Sequence, residues 1–238
     1  MERSHSGLVR ALGKRVCSQE YRGFDSRPLR HIPRQKSKTF DLVHGDARKK
    51  VRFMKNKNPK TRIEKTREHF LDLYTISGDN NPYPEHVEKV EEIARKLTAD
   101  FPDSDKEVVL LAVWLHDIGA FLGDREIHDI NSEKEARRYL TALGFGASKV
   151  EQVAHCVRSH RCNDVLPTTI EAKILAVADS ASHLYAGPYI NMKHKFGKES
   201  VLGKLERDYR DIGLIPAVKN ELTPLYMAWK KLLEILPD

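Results

Sequence analysis

The sequence predicts an all-α domain behind a basic, unpatterned leader, and three observations carry that expectation. From residue 65 onward apolar residues recur at three- and four-residue steps between caps and breakers, with no useful β-alternation and no internal repeat. One stretch, residues 108–119 (VVLLAVWLHDIG), is apolar for eight residues before His116 and Asp117, which reads as a buried helix rather than a strand because Leu, Ala and Trp dominate it. The charge is divided. Residues 1–67 hold 20 of the 41 Lys and Arg and 6 of the 34 Asp and Glu, a local net of +14; the rest of the chain holds 21 and 28, a net of −7.

The overall charge of +7 therefore averages two unlike parts, a basic leader over residues 1–62 and an acidic helical core over residues 63–238. The leader has little periodicity and too few apolar residues to offset chain entropy, so it is expected to be disordered. Seven Arg, five Ser and three acids in residues 1–38 have the flavour of organelle targeting if the source is eukaryotic. The run RKKVRFMKNKNPK, residues 48–60, offers the alternative of a nucleic-acid-binding arm, and a plain solvated leader is the bland reading. Three cysteines without a Cys-x-x-Cys pair suggest neither a disulfide framework nor a zinc knuckle. With no apolar run near the roughly 20 residues of a membrane span, an intracellular protein, cytoplasmic first, is expected. No membrane partner is implied, and the oligomeric state is open.

The core reads in order as follows. A helix over residues 66–76 places Phe70, Leu73 and Tyr74 on one side, and SGDNNPYP stops it. The next, over residues 85–101, repeats Val87, Val90, Ala94, Leu97 and Phe101, with His86 in its first turn at the edge of the core-facing side. The buried helix then runs to Ile118, with Gly119 as its stop. After a polar segment holding Arg125 and His128, a helix starts at Asn131 or Ser132 and continues through Ala136, Tyr139, Leu140 and Leu143. Ser148 is expected to cap the helix carrying Val150, Val153, Val157 and His160. Thr168 and Thr169 cap one that carries Ile174, Leu175, Val177 and Ala178 ahead of Asp179. Residues 201–236 hold two more helices, divided at Gly213 and Pro216.

Four inward-facing ionisable residues collect on three of these helices: His86, His116, Asp117 and Asp179. Nitrogen and oxygen donors without thiolate suit a divalent ion, Mn, Fe, Co, Ni or Zn, with Mg as a further choice. The bland alternative is a buried hydrogen-bonded cluster. His86, the LHDIG of residues 115–119 and the Ala178-Asp179 pair together resemble the HD-domain superfamily of metal-dependent phosphohydrolases, over roughly residues 66–186.

That resemblance implies a helical bundle with additional C-terminal helices packed outside, and His86, His116, Asp117 and Asp179 as metal ligands. In one-ion members, residues such as His128 and His160 touch the substrate phosphate; in two-ion members they ligate the second ion and the aspartate of the pair bridges. Arg161, beside His160, offers a planar fork for phosphate. His183 is expected at the rim of the ligand set, His155 on the surface, and Arg125, Arg158 and Lys173 as solvated charges. The sequence departs from many members at Ala120, where they carry Lys, and it lacks the Glu-Asp motif of the guanosine-tetraphosphate hydrolase branch.

The function expected is hydrolysis of a phosphoester or phosphoanhydride in a small phosphorylated substrate, a nucleotide first, with Asp117 as the catalytic carboxylate. Two alternatives stand beside it. A di-iron oxygenase of HD type would require His128 and His160 both as ligands. A non-catalytic domain would sense a nucleotide or metal, with the leader as a nucleic-acid-binding arm.

Overall fold

The structure, a computed structural model, describes residues 59–237. The leader expected over residues 1–62, with its targeting and nucleic-acid readings, lies outside the described residues except for its last four. Among the described residues there are nine α-helices, two 3-10 turns and no strand, the all-α class that the periodicity predicts. The helices are α1 (Arg62–Ser77), α2 (Tyr83–Asp100), α3 (Lys106–Leu115), α4 (His128–Ala142), α5 (Ala147–Ser159), α6 (Ile170–Ala186), α7 (Tyr189–Phe196), α8 (Lys198–Ile212) and α9 (Pro216–Ile235). No helix among the described residues is long and apolar enough to cross a membrane.

The centre is α3. Every residue from 108 to 115 is at most 1% exposed, and α1, α2, α5 and α6 surround the helix. A helix without a polar face is stable only when enclosed in this way. Its start is fixed by Asp105, whose carboxylate accepts from the backbone N–H groups of Glu107 and Val108 at 3.0 and 3.1 Å. The one polar atom that α3 carries inward in this stretch, the Trp114 indole N–H, donates to Glu91 on α2 at 2.8 Å. Around the core, α2 lies along α6, α4 along α5, and α8 rests on both α6 and α9.

Several boundaries differ from the expected ones. The α-helix ends at Leu115 rather than Ile118, and the chain continues through a 3-10 turn, Ile118–Ala120. Gly119 explains this tight path: a Cβ there would stand 2.3 Å from the His128 carbonyl oxygen and 2.6 Å from the Ser132 amide nitrogen. The start of α4 is packed directly on the turn. That helix begins at His128, not at Asn131 or Ser132, because Asp124 caps a short 3-10 turn that runs into it. Gly146, not Ser148, occupies the N-cap of α5. Thr169 caps α6 as expected, its hydroxyl accepting from Ala172 N–H at 3.2 Å. The tail carries the two expected helices, α8 and α9, divided between Gly213 and Pro216, and a short helix not expected, α7, lies ahead of them, set off from α8 by Gly197 with its φ of 82°.

Candidate metal centre

Five elements deliver the candidate residues to one place. His86 sits in the first turn of α2, His116 and Asp117 just past the end of α3, His128 at the first position of α4, His160 just past α5, and Asp179 inside α6. Two of these positions are helix C-termini, whose exposed carbonyls carry partial negative charge and favour a cation.

The donor atoms fall into two groups, each with its atoms within 4.8 Å of one another: His86, His116 and Asp179 in one, Asp117, His128 and His160 in the other. Asp117 faces both. Its Oδ2 lies 3.5 Å from His86 Nε2 and 3.6 Å from His116 Nε2, and its Oδ1 lies 3.3 Å from His128 Nε2 and 3.8 Å from His160 Nε2. On the other side of the first group, Asp179 Oδ1 is 3.1 Å from His86 Nε2 and 3.8 Å from His116 Nε2.

Hydrogen bonds on the far side of each ring settle which nitrogen faces inward. A carbonyl can only accept, so His116, His128 and His160 each donate Nδ1–H to the carbonyl three residues back, those of Val113, Arg125 and Val157, at 2.8, 2.8 and 2.7 Å. His86 Nδ1 meets Ser182 Oγ at 3.2 Å, and that hydroxyl already donates to the Asp179 carbonyl, so the histidine is again the donor. In the neutral rings all four Nε2 atoms therefore present lone pairs to one another and to carboxylate oxygens. His116 Nε2 is buried with no hydrogen-bond partner, and His128 Nε2 stands 3.2 Å from His160 Nε2. Lone pairs turned on lone pairs are unfavourable unless a proton or a cation lies among them, and two nitrogens each about 2.1 Å from one ion can stand at that separation. The residues fit a divalent metal.

The family model described as "HD domain" matches residues 83–183, from the first residue of α2 to His183 in α6. Residues 83–183 are an HD domain. No curated protein and no solved structure matches the chain. All six donors lie within the HD domain, whereas α1 and the C-terminal helices α7, α8 and α9 lie outside it.

The electrostatics of the HD-domain centre favour positive charge. Burial pushes the Asp117 carboxyl up, but His116, a hydrogen bond from His128 and the charge of His86 outweigh it and hold the group far below the usual carboxylate range. Asp179 behaves alike, with His183, His86 and His116 overcoming burial. Burial and the neighbouring His116 push His160 down to about 4, which leaves it neutral at physiological pH. Burial pushes His128 down, but the hydrogen bond to Asp117 and the charge of that carboxylate together outweigh it and raise the group.

A cleft of about 320 Å³ opens on this centre, with Arg161 and Asn163 on one side and Lys204, Arg207, Asp208 and Asp211 of α8 on another. Helix α8 thus completes the cleft beside the HD domain, whereas the sequence reading placed the C-terminal helices on the outside. His183 stacks on His86 with centroids 5.1 Å apart, and its Nδ1 lies 3.4 Å from the buried carboxylate of Asp208, which accepts from the Tyr189 hydroxyl at 2.8 Å. A signal for Asp208 existed: it interrupts the stripe Val201, Leu205, Ile212 at helical spacing, where an apolar residue is expected. Arg161 departs from its expected role as a free fork, since its Nη1 donates to the Glu126 carbonyl at 2.5 Å and to Asp129 at 3.2 Å. Arg158 is not solvated; it pairs with Asp129 and Asp164. His155 is half-buried away from the centre, against Thr168.

Proposed function

We propose that the chain is a metal-dependent phosphohydrolase that cleaves a phosphoester or phosphoanhydride in a small anionic substrate, nucleotides being the first class to test, and that its centre holds two divalent cations. The observation that carries this reading is the carboxylate of Asp117, which turns one oxygen to each donor group. His86, His116 and Asp179 would hold one ion, His128 and His160 the other, with Asp117 shared. Four imidazoles favour Mn, Fe, Co, Ni or Zn over Mg. Cations bound there would supply a lowered pKa for a coordinated water and positive charge for phosphoryl oxygens.

The chain's own groups provide the rest. Asp117, kept ionised, is placed to accept a proton at the centre of the cleft. Lys204, Arg207 and the remaining N–H groups of Arg161 give the cleft cationic edges for an anionic substrate. Beneath the ligands, α3 forms a dry, closely packed floor that fixes where His116 and Asp117 leave the bundle.

The test is Asp117→Ala measured for metal content and for phosphate release from nucleotides and generic phosphoesters with Mn, Co, Ni, Fe and Mg. Loss of both ions and of turnover is expected; full metal content with full turnover overturns the reading. The same six donors suit a di-iron oxygenase, so the Fe(II) arm is run under air and under nitrogen. Oxygen-dependent substrate loss without phosphate release assigns the oxygenase instead, and binding without turnover assigns a sensor.

A further inference from the structure

Behind the second donor group lies a charge cluster centred on a buried carboxylate, Asp129, that has no part in the chemistry proposed above. Asp129, next to His128 in sequence, has a side chain only 6% exposed. Both of its oxygens are engaged: Oδ2 accepts from Arg158 Nη1, and Oδ1 accepts from Arg161 Nη1 at 3.2 Å. Those two arginines flank His160. The cluster therefore ties the first turn of α4, which carries His128, to the end of α5, which carries His160. Arg161 adds a further link by donating to the carbonyl of Glu126 in the turn before α4.

A buried carboxylate between two partly buried arginines is a poor source of stability, because desolvation offsets much of the attraction; its better-attested use is to fix the register of the elements it joins. There is something here that needs such fixing. His128 and His160 approach to 3.2 Å through nitrogens whose lone pairs, in the neutral rings, repel until an ion lies between them. Apolar contacts between α4 and α5 are non-directional and define their relative register only loosely. Two guanidinium–carboxylate pairs, directional and on either side of His160, define it closely.

We infer that Asp129 is a positioning residue for the second cation: with Arg158 and Arg161 it holds His128 and His160 as a ready pair and so sets the affinity of the Asp117, His128 and His160 site without touching the ion. The inference rests on the two-cation reading. It also gives Arg161 a task that does not require substrate.

Full-length protein stripped with chelator and titrated calorimetrically with Mn(II) alone, without substrate, tests this. The unsubstituted chain is expected to bind in two steps, and His160→Gln, which removes a donor outright, to lose the weaker one. In Asp129→Asn the second step is expected to weaken about 10- to 100-fold, the range for partners of metal ligands, while the first stays within about twofold and reports that the fold is intact. Arg161→Met, at the more exposed edge of the cluster, should weaken the second step about 10-fold, and it serves if Asp129→Asn does not fold. Equal weakening of both steps, or two unchanged steps, in the variant that folds overturns the positioning role and leaves the two-cation reading standing. A single step in the unsubstituted chain overturns both.

Discussion

Gly119→Ala is the smallest change expected to damage the centre. The glycine does not touch any donor, and its backbone amide donates to Ser132 Oγ at 2.8 Å. An added Cβ would lie 2.3 Å from the His128 carbonyl oxygen, 2.6 Å from the Ser132 nitrogen and 2.8 Å from Asn131 Cβ, where ordinary contact begins near 3.4 Å. Two of those three atoms are backbone, so no rotamer change relieves the overlap, and the 3-10 turn and the start of α4 must separate by roughly 1 Å. Overpacking of this kind costs about 1–3 kcal/mol, and the Ser132 hydrogen bond adds about 1 kcal/mol if it breaks. The separation falls between Asp117 and His128, so a displacement of about 1 Å should also lower turnover by about 10²-fold. Urea denaturation measures the first effect; Mn(II) titration and phosphate release measure the second. An alanine variant within about 0.5 kcal/mol of the parent, the scatter of neutral surface substitutions, and with unchanged metal affinity would show that the turn is not held by this contact.

Two further expectations follow from individual side chains. Arg207 lines the cleft, is exposed and makes no ion pair among the described residues, so Arg207→Ala should leave the fold intact and raise KM for phosphorylated substrates about 5- to 10-fold, with kcat little changed and the effect shrinking at high salt; unchanged KM across the series removes it from substrate binding. Burial pushes the Glu135 carboxyl up, but hydrogen bonds from His69 and Arg138 outweigh it and hold the group down at about 2. A depressed carboxylate contributes stability that is fully present above its unfolded pKa of about 4.3 and is lost as pH falls through the folded value. The stability gap between the parent and Glu135→Gln should therefore be widest near pH 6 and close toward pH 2. A gap of constant width, followed by urea midpoints across that range, would assign Glu135 a packing role instead.

Much of the centre was legible because its residues sit on strongly periodic elements. His86 at the edge of an apolar stripe, and His116 and Asp117 at the end of a helix apolar all round, could be placed from spacing alone. Asp179 followed from the same logic on α6. What His128 and His160 contribute was not legible, since it depends on where α4 begins and how α5 is set against it. The early start of α4 comes from Asp124 capping a turn, a local signal overshadowed by the later Ser and Asn. Arg158 looked solvated because a long basic side chain usually is; only the packed fold brings Asp129 and Asp164 to it. The wall from α8 was hidden for a different reason: α7 is eight residues long with three basic residues in its last turn, too short for a stripe to emerge. Without α7 the face that α8 turns to the cleft cannot be assigned.

The three imidazoles anchored to carbonyls of their own segments have a consequence for how errors spread. Each ring takes its orientation from the four residues that end with it, so the direction of its free nitrogen is written into the backbone locally. Placing those donors then reduces to placing a few rigid bodies, and substitutions deep in the bundle can disturb the centre only by moving a whole segment. Such damage should arrive segment by segment, each histidine together with the helix end that carries it, and His116 together with Asp117, rather than as one misdirected ring.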